Sequence, residues 1–469
     1  MGRSAIREPA LRAWLAALGT IAFLAVSVVS AGITFAEDAA PEAAPAVTES
    51  VPPAEAAAPA EAAPAAPTAD TGDTAWMLAA SALVLFMTPG LAFFYGGMVR
   101  KKNVLGTMMH SFVAMGVLSI AWALVGYSLA FSGSGEYVGD LAAVGLSGVG
   151  SGVSGTIPDS VFMIYQCMFF IITPALFSGA IAERIKFSSY LFILVGWALI
   201  AYAPICHMVW DSDGLLFKDG AMDFAGGTVV HINAAVAAAV LVWLLGKRRD
   251  YPKEITPPHN LPFAVLGTGM LWFGWFGFNA GSALGANALA GYAFVNTNLG
   301  AAAAASSWMF WEWLRRGKPT ALGFMSGAVG GLVIITPACG FVTPMGAIVM
   351  CAIGGIVCFE TVALRAKLQI DDSLDVLGVH GMGGTLGALL VGLFASKTIN
   401  SAGKDGLFYG GGIDPFIVQI KGVVITIVVS AVVTFVLAKI ADMVFGLRVS
   451  DEEEAQGLDL TQHGEVGYT

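Results

Sequence analysis

Apolar runs recur along this chain, and each is about as long as a helix that crosses a lipid bilayer. Such a helix needs about 20 apolar residues. The sequence contains eleven candidate runs, with approximate limits 75–98, 104–131, 159–182, 188–209, 224–246, 261–280, 289–313, 320–339, 343–364, 376–396 and 415–446. Hydrophobic residues make up 57% of the chain and charged residues only 12%, against roughly 45–50% and 25% in soluble domains. We therefore predict an all-α integral membrane protein with eleven transmembrane helices.

Basic residues mark alternate connections between these runs. The connections after the first, third, fifth, seventh and ninth runs contain Arg100, Lys101, Lys102, Arg184, Lys186, Lys247, Arg248, Arg249, Lys253, Arg315, Arg316, Lys318, Arg365 and Lys367. The other connections carry only Lys218, Lys397 and Lys404. Because basic connections stay in the cytoplasm, the mature N-terminus is predicted outside the cell and the C-terminus inside. The net charge of −10 lies largely in two acidic tails and does not indicate a nucleic-acid partner.

The N-terminal segment has the layout of a secretory signal. Three arginines precede the apolar run "WLAALGTIAFLAVSVVSAG" and the small-residue stretch "TFA", so we predict a signal peptide over residues 1–36. An uncleaved first membrane helix is the alternative. Residues 37–72 are rich in Ala, Pro and Glu and have little to bury, which predicts a solvated linker outside the membrane.

The remaining chain divides into a membrane domain, 73–447, and a cytoplasmic tail, 448–469. Two segments of the membrane domain repeat one pattern: "DFAGGTVVH" (223–231) and "DSLDVLGVH" (372–380) each place an aspartate eight residues before a histidine. One opens the fifth run and the other the tenth, so the two copies point in opposite directions. This predicts inverted five-helix repeats over 73–249 and 250–396, with an eleventh helix over 415–447, and such repeats commonly hold a binding site near the bilayer midplane.

His231 and His380 are the two candidate functional residues of this repeat. Helical rise of roughly 1.5 Å per residue places His231 about 12 Å inward from Asp223, near the centre of a hydrocarbon layer about 30 Å thick. His380 reaches a similar depth from the opposite side. Ionisable groups at this depth are costly and usually functional, and a neutral imidazole offers one donor and one acceptor nitrogen. The pair suits a small guest that hydrogen-bonds and exchanges a proton. The alternative is that each ring only bonds a neighbouring helix.

A metal site is a further alternative for this pair. Catalytic zinc takes three protein ligands, and no third histidine or cysteine lies near in sequence, since His110 and His207 are expected closer to the two membrane surfaces. The five cysteines lie in or beside apolar runs without metal-like spacing. They are interpreted as buried thiols, and no cofactor is predicted.

Nine segments of the chain resemble, in order, those of the ammonium transporter (Amt/MEP/Rh) family, in particular the bacterial Amt type. They are "TPGLAFFYGGMVRKKNVL", "GAIAERIKF", "HMVW", "DFAGGTVVHINAA", "PHNLPF", "GWFGFNAGSA", "TPACGF", "DVLGVHG" and "GLRVSDEEEAQGLD". The resemblance implies a transporter rather than an enzyme, which serves nitrogen uptake as a homotrimer in the inner membrane, with one narrow pore per subunit. Ammonium or ammonia would be its substrate.

Matched position by position, the resemblance implies the roles of the pore residues. His231 and His380 correspond to the twin pore histidines. Phe169 and Phe278 correspond to a stacked pair that closes the outer pore, and Trp275 to an indole that supports the histidines. An apolar plug of this kind makes a charged guest costly, which favours the loss of a proton from ammonium.

The resemblance also implies an external recruitment site. Trp210 and Ser282 correspond to its indole and hydroxyl, which would attract a cation and accept a hydrogen bond. Asp223 corresponds to the acid beneath the site, and its place before a helix is typical of an N-cap. Tyr165 departs from the phenylalanine that is frequent in bacterial relatives, and its added hydroxyl puts the affinity of the site in doubt.

The acidic tail resembles one that docks a PII-type regulatory protein, whereas a plain solvated terminus is the alternative. Two other functions also stay open. A membrane ammonium sensor of this family generally carries an added signalling domain, for which a tail of 22 residues is too short. A Rhesus-like gas channel is disfavoured by the tryptophan of "HMVW", which implies a mouth that attracts cations.

Overall fold

The computed structural model describes residues 68–150, 152–253 and 257–468. The predicted signal peptide and residues 37–67 of the predicted linker lie outside the described residues. The predicted linker extends to residue 72, but the first helix already begins at Thr71. The reason is local: the Asp70 carboxylate accepts a hydrogen bond from the Asp73 amide at 2.8 Å and thereby caps the helix.

All eleven predicted apolar runs form helices. They are α1 (Thr71–Met98), α2 (Lys101–Phe131), α3 (Asp159–Ile181), α4 (187–210), α5 (Gly227–Leu245), α6 (Leu261–Ala280), α7 (Ala288–Arg316), α8 (Ala321–Ile335), α9 (Pro344–Lys367), α10 (Leu377–Phe394) and α11 (Asp414–Phe445). Within the described ranges, nine of them are long and apolar enough to cross a membrane, namely α1 to α6 and α9 to α11. Of the other two, α7 has 29 residues but is more polar, and α8 has 15 residues. A multi-pass membrane protein is therefore supported, while the count of eleven crossings stays a prediction.

Proline explains the one helix that is clearly shorter than its apolar run. The eighth run extends to residue 339, but α8 ends at Ile335. Pro337 lacks an amide hydrogen and therefore cannot continue the hydrogen-bond ladder of the helix. The end of α8 leaves Thr336 in hydrogen-bond contact with the Trp275 indole of α6.

Small residues let the helices approach closely. A Cβ atom on Gly267 of α6 would lie 2.3 Å from the amide nitrogen of Phe94 in α1. Likewise, a Cβ atom on Gly331 of α8 would lie 2.5 Å from the carbonyl oxygen of Gly300 in α7. Only glycine allows these two contacts, and close backbone approach of this kind is how helices associate where water supplies no driving force.

The connections that come after α1, α3, α5 and α9 meet at one end of the bundle, which we call the basic face. Arg248 lies at its centre and forms ion pairs of 2.8 Å with Glu183 and 2.8 Å with Asp371. Arg100 pairs with the same Glu183 at 3.0 Å. These contacts hold the four connections together.

The intervening connections meet at the other end, which we call the hairpin face after a two-stranded hairpin, β1 (Val153–Ser154) and β2 (Ile157–Pro158). Asp73 accepts hydrogen bonds there from the Thr156 hydroxyl at 2.5 Å and from the Ala286 amide at 2.7 Å. The Leu215 amide donates to the Glu136 carbonyl at 2.8 Å. Alternate connections thus lie at opposite ends, as an up-and-down bundle requires.

The C-terminal tail folds onto the basic face as two short helices, α12 (Asp451–Gln456) and α13 (Leu458–His463). Buried Glu454 forms an ion pair of 2.5 Å with Arg448, and Asp459 accepts a hydrogen bond from the Gly106 amide at 2.8 Å. A plain solvated terminus is therefore wrong for this part of the tail.

Candidate functional site

The two repeated segments begin with the same local structure. α5 opens on a π-helical turn, Gly227–Ile232, and α10 on another, Leu377–Met382. An aspartate precedes each turn and accepts hydrogen bonds from its first amides: Asp223 from residues 226 to 229 and Asp372 from residues 376 and 377. Turns of this kind are rare and are frequently found at functional sites.

These turns bring His231 and His380 face to face. Their Nδ1 atoms are 3.2 Å apart, and the ring centroids are separated by 5.2 Å with planes inclined by 28°. Both rings are buried, with 1% and 3% of their surface exposed. The two histidines that the sequence places 149 residues apart are therefore direct neighbours.

Apolar side chains surround the pair and leave one narrow cavity beside it. The cavity is lined by Met87, Leu91, Phe94, Ile172, Leu176, Val230, His231, Leu271, Trp275, Phe278, Val329 and His380. The two imidazoles and one indole are its only nitrogen-bearing side chains. The Nε2 atom of His231 is buried and has no hydrogen-bond partner among the described residues.

Trp275 supports one face of the pair. Its ring lies 5.4 Å from that of His231 at an angle of 24°, and its indole N–H donates to the Thr336 hydroxyl at 2.8 Å. Thr336 in turn lies 3.3 Å from the Asn279 side chain, whose amide donates to Thr297 at 2.9 Å. Thr336, Asn279 and Thr297 were not among the residues predicted from the sequence, although polar residues inside apolar runs are a signal for such contacts.

The two candidate gate residues stack on one another above the histidines. The ring centroids of Phe169 and Phe278 are 4.3 Å apart with planes inclined by 32°, and each side chain is 1% exposed. Phe278 also lies 6.1 Å from His231. Phe278 is one of the residues that line the cavity, and Phe169 packs against it.

Trp210 and Asp223 meet at the outer edge of this stack. The indole N–H of Trp210 donates to the backbone carbonyl of Asp223 at 2.8 Å, and the indole ring packs edge-on against Phe169 at 5.6 Å and 87°. The Asp223 carboxylate is occupied by the start of α5, where it also accepts a hydrogen bond from the Thr228 hydroxyl. These contacts are those of a helix cap, not of a group that faces a ligand.

Tyr165 lies beneath Ser282. Its hydroxyl is 3.0 Å from the Gly277 carbonyl, 2.9 Å from the Phe278 carbonyl and 3.2 Å from the Ser282 hydroxyl. The Ser282 hydroxyl also donates to the Phe278 carbonyl at 2.9 Å. The added hydroxyl of Tyr165 thus connects α3 to the end of α6, at the edge of the stacked rings.

The described residues contain no group of three or more His, Cys, Asp or Glu side chains placed to hold a metal ion. All five cysteines are buried and unpaired, which confirms their interpretation as buried thiols. The arrangement as a whole is a narrow, mostly apolar cavity with imidazole nitrogens on its wall and stacked aromatic rings beside it.

Comparisons with known proteins agree on one family. The model of the Ammonium Transporter Family matches residues 75–468. An ammonium transporter of Bacillus subtilis is 50% identical over 403 residues, which cover 85% of this chain and 98% of that protein. The crystal structure of Candida albicans Mep2 matches with a TM-score of 0.78 and 35% identity, over 85% of this chain and 91% of that one. A solved sensor Amt protein matches with a TM-score of 0.77 and 28% identity, over 84% and 98%.

Proposed function

This chain belongs to the ammonium transporter family, and on that premise we propose that it transports ammonium in three steps. It recruits ammonium at an aromatic outer site and admits it past stacked phenylalanines. The ammonium then enters the cavity of the histidine pair, where it loses a proton. The observation that carries the proposal is the 3.2 Å contact between the Nδ1 atoms of His231 and His380 inside an apolar cavity.

The histidine contact determines what the pair presents to a guest. One Nδ1 atom must donate and the other accept, because two lone pairs or two protons repel each other. A neutral imidazole has one N–H, so the donating ring has a bare Nε2 and the accepting ring has a protonated Nε2. The pair therefore offers one acceptor, which can take a proton from ammonium, and one donor, which can bond the lone pair of ammonia. When the bare Nε2 takes that proton, the Nδ1–H proton passes to the second Nδ1 across the 3.2 Å contact, and the second ring releases its Nε2–H proton. The proton then crosses as well as the ammonia, which is what an ammonium current requires.

The stacked rings of Phe169 and Phe278 favour the same loss of a proton. They leave no polar atom to replace the hydration shell of an ion, and an uncompensated charge in such surroundings is costly. Ammonium can give up its charge by losing a proton, and potassium cannot. Selectivity then rests on chemistry instead of size.

The outer site supplies the initial attraction. The Trp210 N–H is held by a backbone carbonyl, which fixes the indole, and an aromatic face attracts a cation by roughly 0.5–2 kcal/mol. The Ser282 hydroxyl, together with Tyr165 below it, adds oxygen atoms that can accept hydrogen bonds from the guest. Asp223 contributes by fixing the backbone that anchors Trp210.

The arrangement in the membrane is inferred from the charge of the two faces. We propose that the basic face is cytoplasmic and the hairpin face external, in an inner membrane, with eleven crossings in two inverted repeats. The positive-inside rule and the meeting of alternate connections support this orientation. A homotrimer, a cleaved signal over 1–36 and a solvated linker are further parts of the proposal.

The decisive experiment is transport by the purified protein in liposomes adsorbed on a solid-supported membrane. We expect an ammonium pulse to evoke a current that an equal potassium pulse does not. A variant with Leu in place of both His231 and His380 serves as the negative control. Fast alkalinisation of the lumen without current would favour a gas channel instead, and retained ammonium binding without flux would favour a sensor.

The folded tail is proposed as part of the docking surface for a PII-type regulatory protein. It adds exposed acidic side chains, Asp451 and Glu452, to a face that is otherwise basic. Pull-down of a PII protein by the full chain, and its loss after deletion of residues 450–469, is the expected result. Binding that survives the deletion would contradict this role.

A further inference from the structure

His207 is a buried histidine outside the candidate site, and both of its ring nitrogens face backbone carbonyl oxygens. Its Nδ1 atom lies 3.0 Å from the Ala130 oxygen, and its Nε2 atom lies 2.5 Å from the Gly135 oxygen. The side chain is 0% exposed, so water does not compete for either nitrogen. Ala130 belongs to the last turn of α2, and Gly135 to the connection after it.

A carbonyl oxygen accepts hydrogen bonds and cannot donate one. A neutral imidazole carries a single N–H and would leave its second nitrogen with a lone pair pointed at an oxygen lone pair. Two carbonyl partners are satisfied together only when both nitrogens carry a proton. We propose that His207 is a buried imidazolium ion and the positioning residue that fastens the outer connection to the helix that carries Trp210. The second half of this proposal rests on the proposed function.

The surroundings of the ring compensate a positive charge. His207 lies in the last turn of the α4 segment Ala203–Trp210, and it bonds the last turn of α2. The negative ends of two helix dipoles therefore converge on it, and each such end favours a cation. The Ala130 carbonyl is one of the four that a helix end leaves without an internal partner, so the bond also completes α2.

The chemistry of the neighbouring segments is consistent with that charge. Residues 132–143 contain two acids, Glu136 and Asp140, and no base, while residues 211–214 contain Asp211 and Asp213 and no base. The other titratable group on the last turn of α2 is the phenol of Tyr127. No other cation of these segments could replace the imidazolium.

The connection held by His207 is tied to the mouth. Trp210 comes three residues after His207, almost one turn along the same helix. The same connection is fastened a second time just beyond Trp210, where the Leu215 amide donates to the Glu136 carbonyl. Loss of the imidazolium bonds would free one of two tethers next to the indole, and the apparent affinity for ammonium should fall while the inner path stays intact.

The protonation state can be measured on the unaltered protein. The chain has six histidines, and nitrogen-15 labelling of histidine with solid-state NMR in lipid bilayers resolves protonated from bare ring nitrogens. Single substitutions at the other five histidines assign the signals. At neutral pH we expect two protonated-type nitrogens for His207. One bare nitrogen would overturn the imidazolium, whatever the transport assay shows.

The positioning role is tested by His207→Leu. The control is His259→Gln, because the His259 ring lies on the basic face, where its nitrogens contact the Val99 carbonyl at 2.9 Å and the Tyr468 hydroxyl at 3.1 Å. We expect the KM for ammonium current to rise about tenfold, because both charge-assisted bonds are lost, with Vmax changed less than twofold and the control unchanged. An unchanged KM would overturn the positioning role but not the imidazolium. An unaltered protein that carries no ammonium flux would overturn the proposed function and leave the NMR result standing.

Discussion

His231 and His380 each determine the hydrogen-bonding state of the other, since one Nδ1 atom must donate to the second across 3.2 Å. Removing either ring therefore alters two residues at once. The remaining imidazole loses its partner and the cavity loses one of its two polar atoms for the guest. Both effects act in surroundings from which water is excluded, where hydrogen bonds matter most.

We expect His231→Leu and His380→Leu each to lower ammonium current by about ten- to a hundredfold, since leaving a buried polar group unsatisfied costs about 1–3 kcal/mol. The measurement is the initial current in liposomes at matched protein density. His259→Ala, on the basic face, is the control and should retain the current of the unaltered chain. Full current in either leucine variant would contradict a role for the pair.

Tyr165→Phe tests the hydroxyl beneath Ser282. The phenol oxygen is near two carbonyl oxygens and the Ser282 hydroxyl, and a net hydrogen bond is worth about 0.5–1.5 kcal/mol. We expect the KM for ammonium to rise by about two- to tenfold with Vmax unchanged, as measured by the concentration dependence of the current. A lower KM would mean that the hydroxyl hinders recruitment.

Spacing alone predicted that the two histidines reach a common depth, and the family resemblance supplied the aromatic positions. The direction of the Tyr165 hydroxyl could not be predicted, because it depends on the distance between α3 and α6. The double carbonyl contact of His207 was equally hidden, since its partners lie 77 and 72 residues earlier in the chain. Contacts of this kind depend on tertiary structure and leave no local pattern.

At the scale of the elements, Asp223 and Asp372 are matched caps with different environments. The Asp223 carboxylate accepts hydrogen bonds from four backbone amides and one hydroxyl, whereas the Asp372 carboxylate accepts them from two backbone amides. Burial raises the pKa of Asp372 to about 6, although Arg365 opposes the effect. Asp372 is thus easier to neutralise than an ordinary aspartate, and a neutral amide should replace it at lower cost.

We expect Asp223→Asn to lower the free energy of unfolding by about 1–3 kcal/mol and to reduce ammonium current, because the backbone that anchors Trp210 shifts. Asp372→Asn should lower it by less at pH 7. Thermal unfolding in detergent and current in liposomes measure the two effects. If Asp223→Asn kept both stability and current, the cap would be unimportant.

The helices themselves were predictable because a run of about 20 apolar residues has few other structures available in lipid. Ten of the eleven runs end within about three residues of their helices, and the eighth is shortened by Pro337. The π-helical turns were not predictable. Their residues do not differ in type from those of an ordinary α-helical turn, and the wider geometry is held by capping aspartates and by the opposing turn.

At the scale of the whole molecule, Glu183 connects parts of the chain that are far apart in sequence. It is 2% exposed and contacts Arg100, Asn103 and Arg248. Burial on its own raises the pKa of Glu183, but the guanidinium groups of Arg248 and Arg100 outweigh it and lower the pKa to about 2. The sequence showed basic connections on one face, but which acid pairs with which base is determined only by the fold.

Glu183→Gln should therefore destabilise the protein by about 3 kcal/mol at pH 7, because it removes the buried carboxylate that Arg100 and Arg248 share, although Arg248 keeps its ion pair with Asp371. Because the pKa of Glu183 is lower in the folded protein than its ordinary value of 4.5, the ionised carboxylate stabilises the folded state at pH values above 4.5. This contribution is lost as the pH falls from 4.5 towards about 2. The difference in stability between the unaltered protein and Glu183→Gln should shrink as the pH falls through this range, as measured by thermal unfolding at a series of pH values. Exposed Glu452→Gln is the control, and a difference independent of pH would contradict the linkage.

The paired π-helical turns also restrict how the chain can change its length. Such a turn holds one residue more than an α-helical turn, and each residue added or removed rotates the rest of the helix by roughly 100° about its axis. An insertion or deletion between either aspartate and its histidine would swing that imidazole away from its counterpart. Evolutionary gains and losses of residues are therefore expected to collect in the connections and the termini, and to spare both eight-residue intervals.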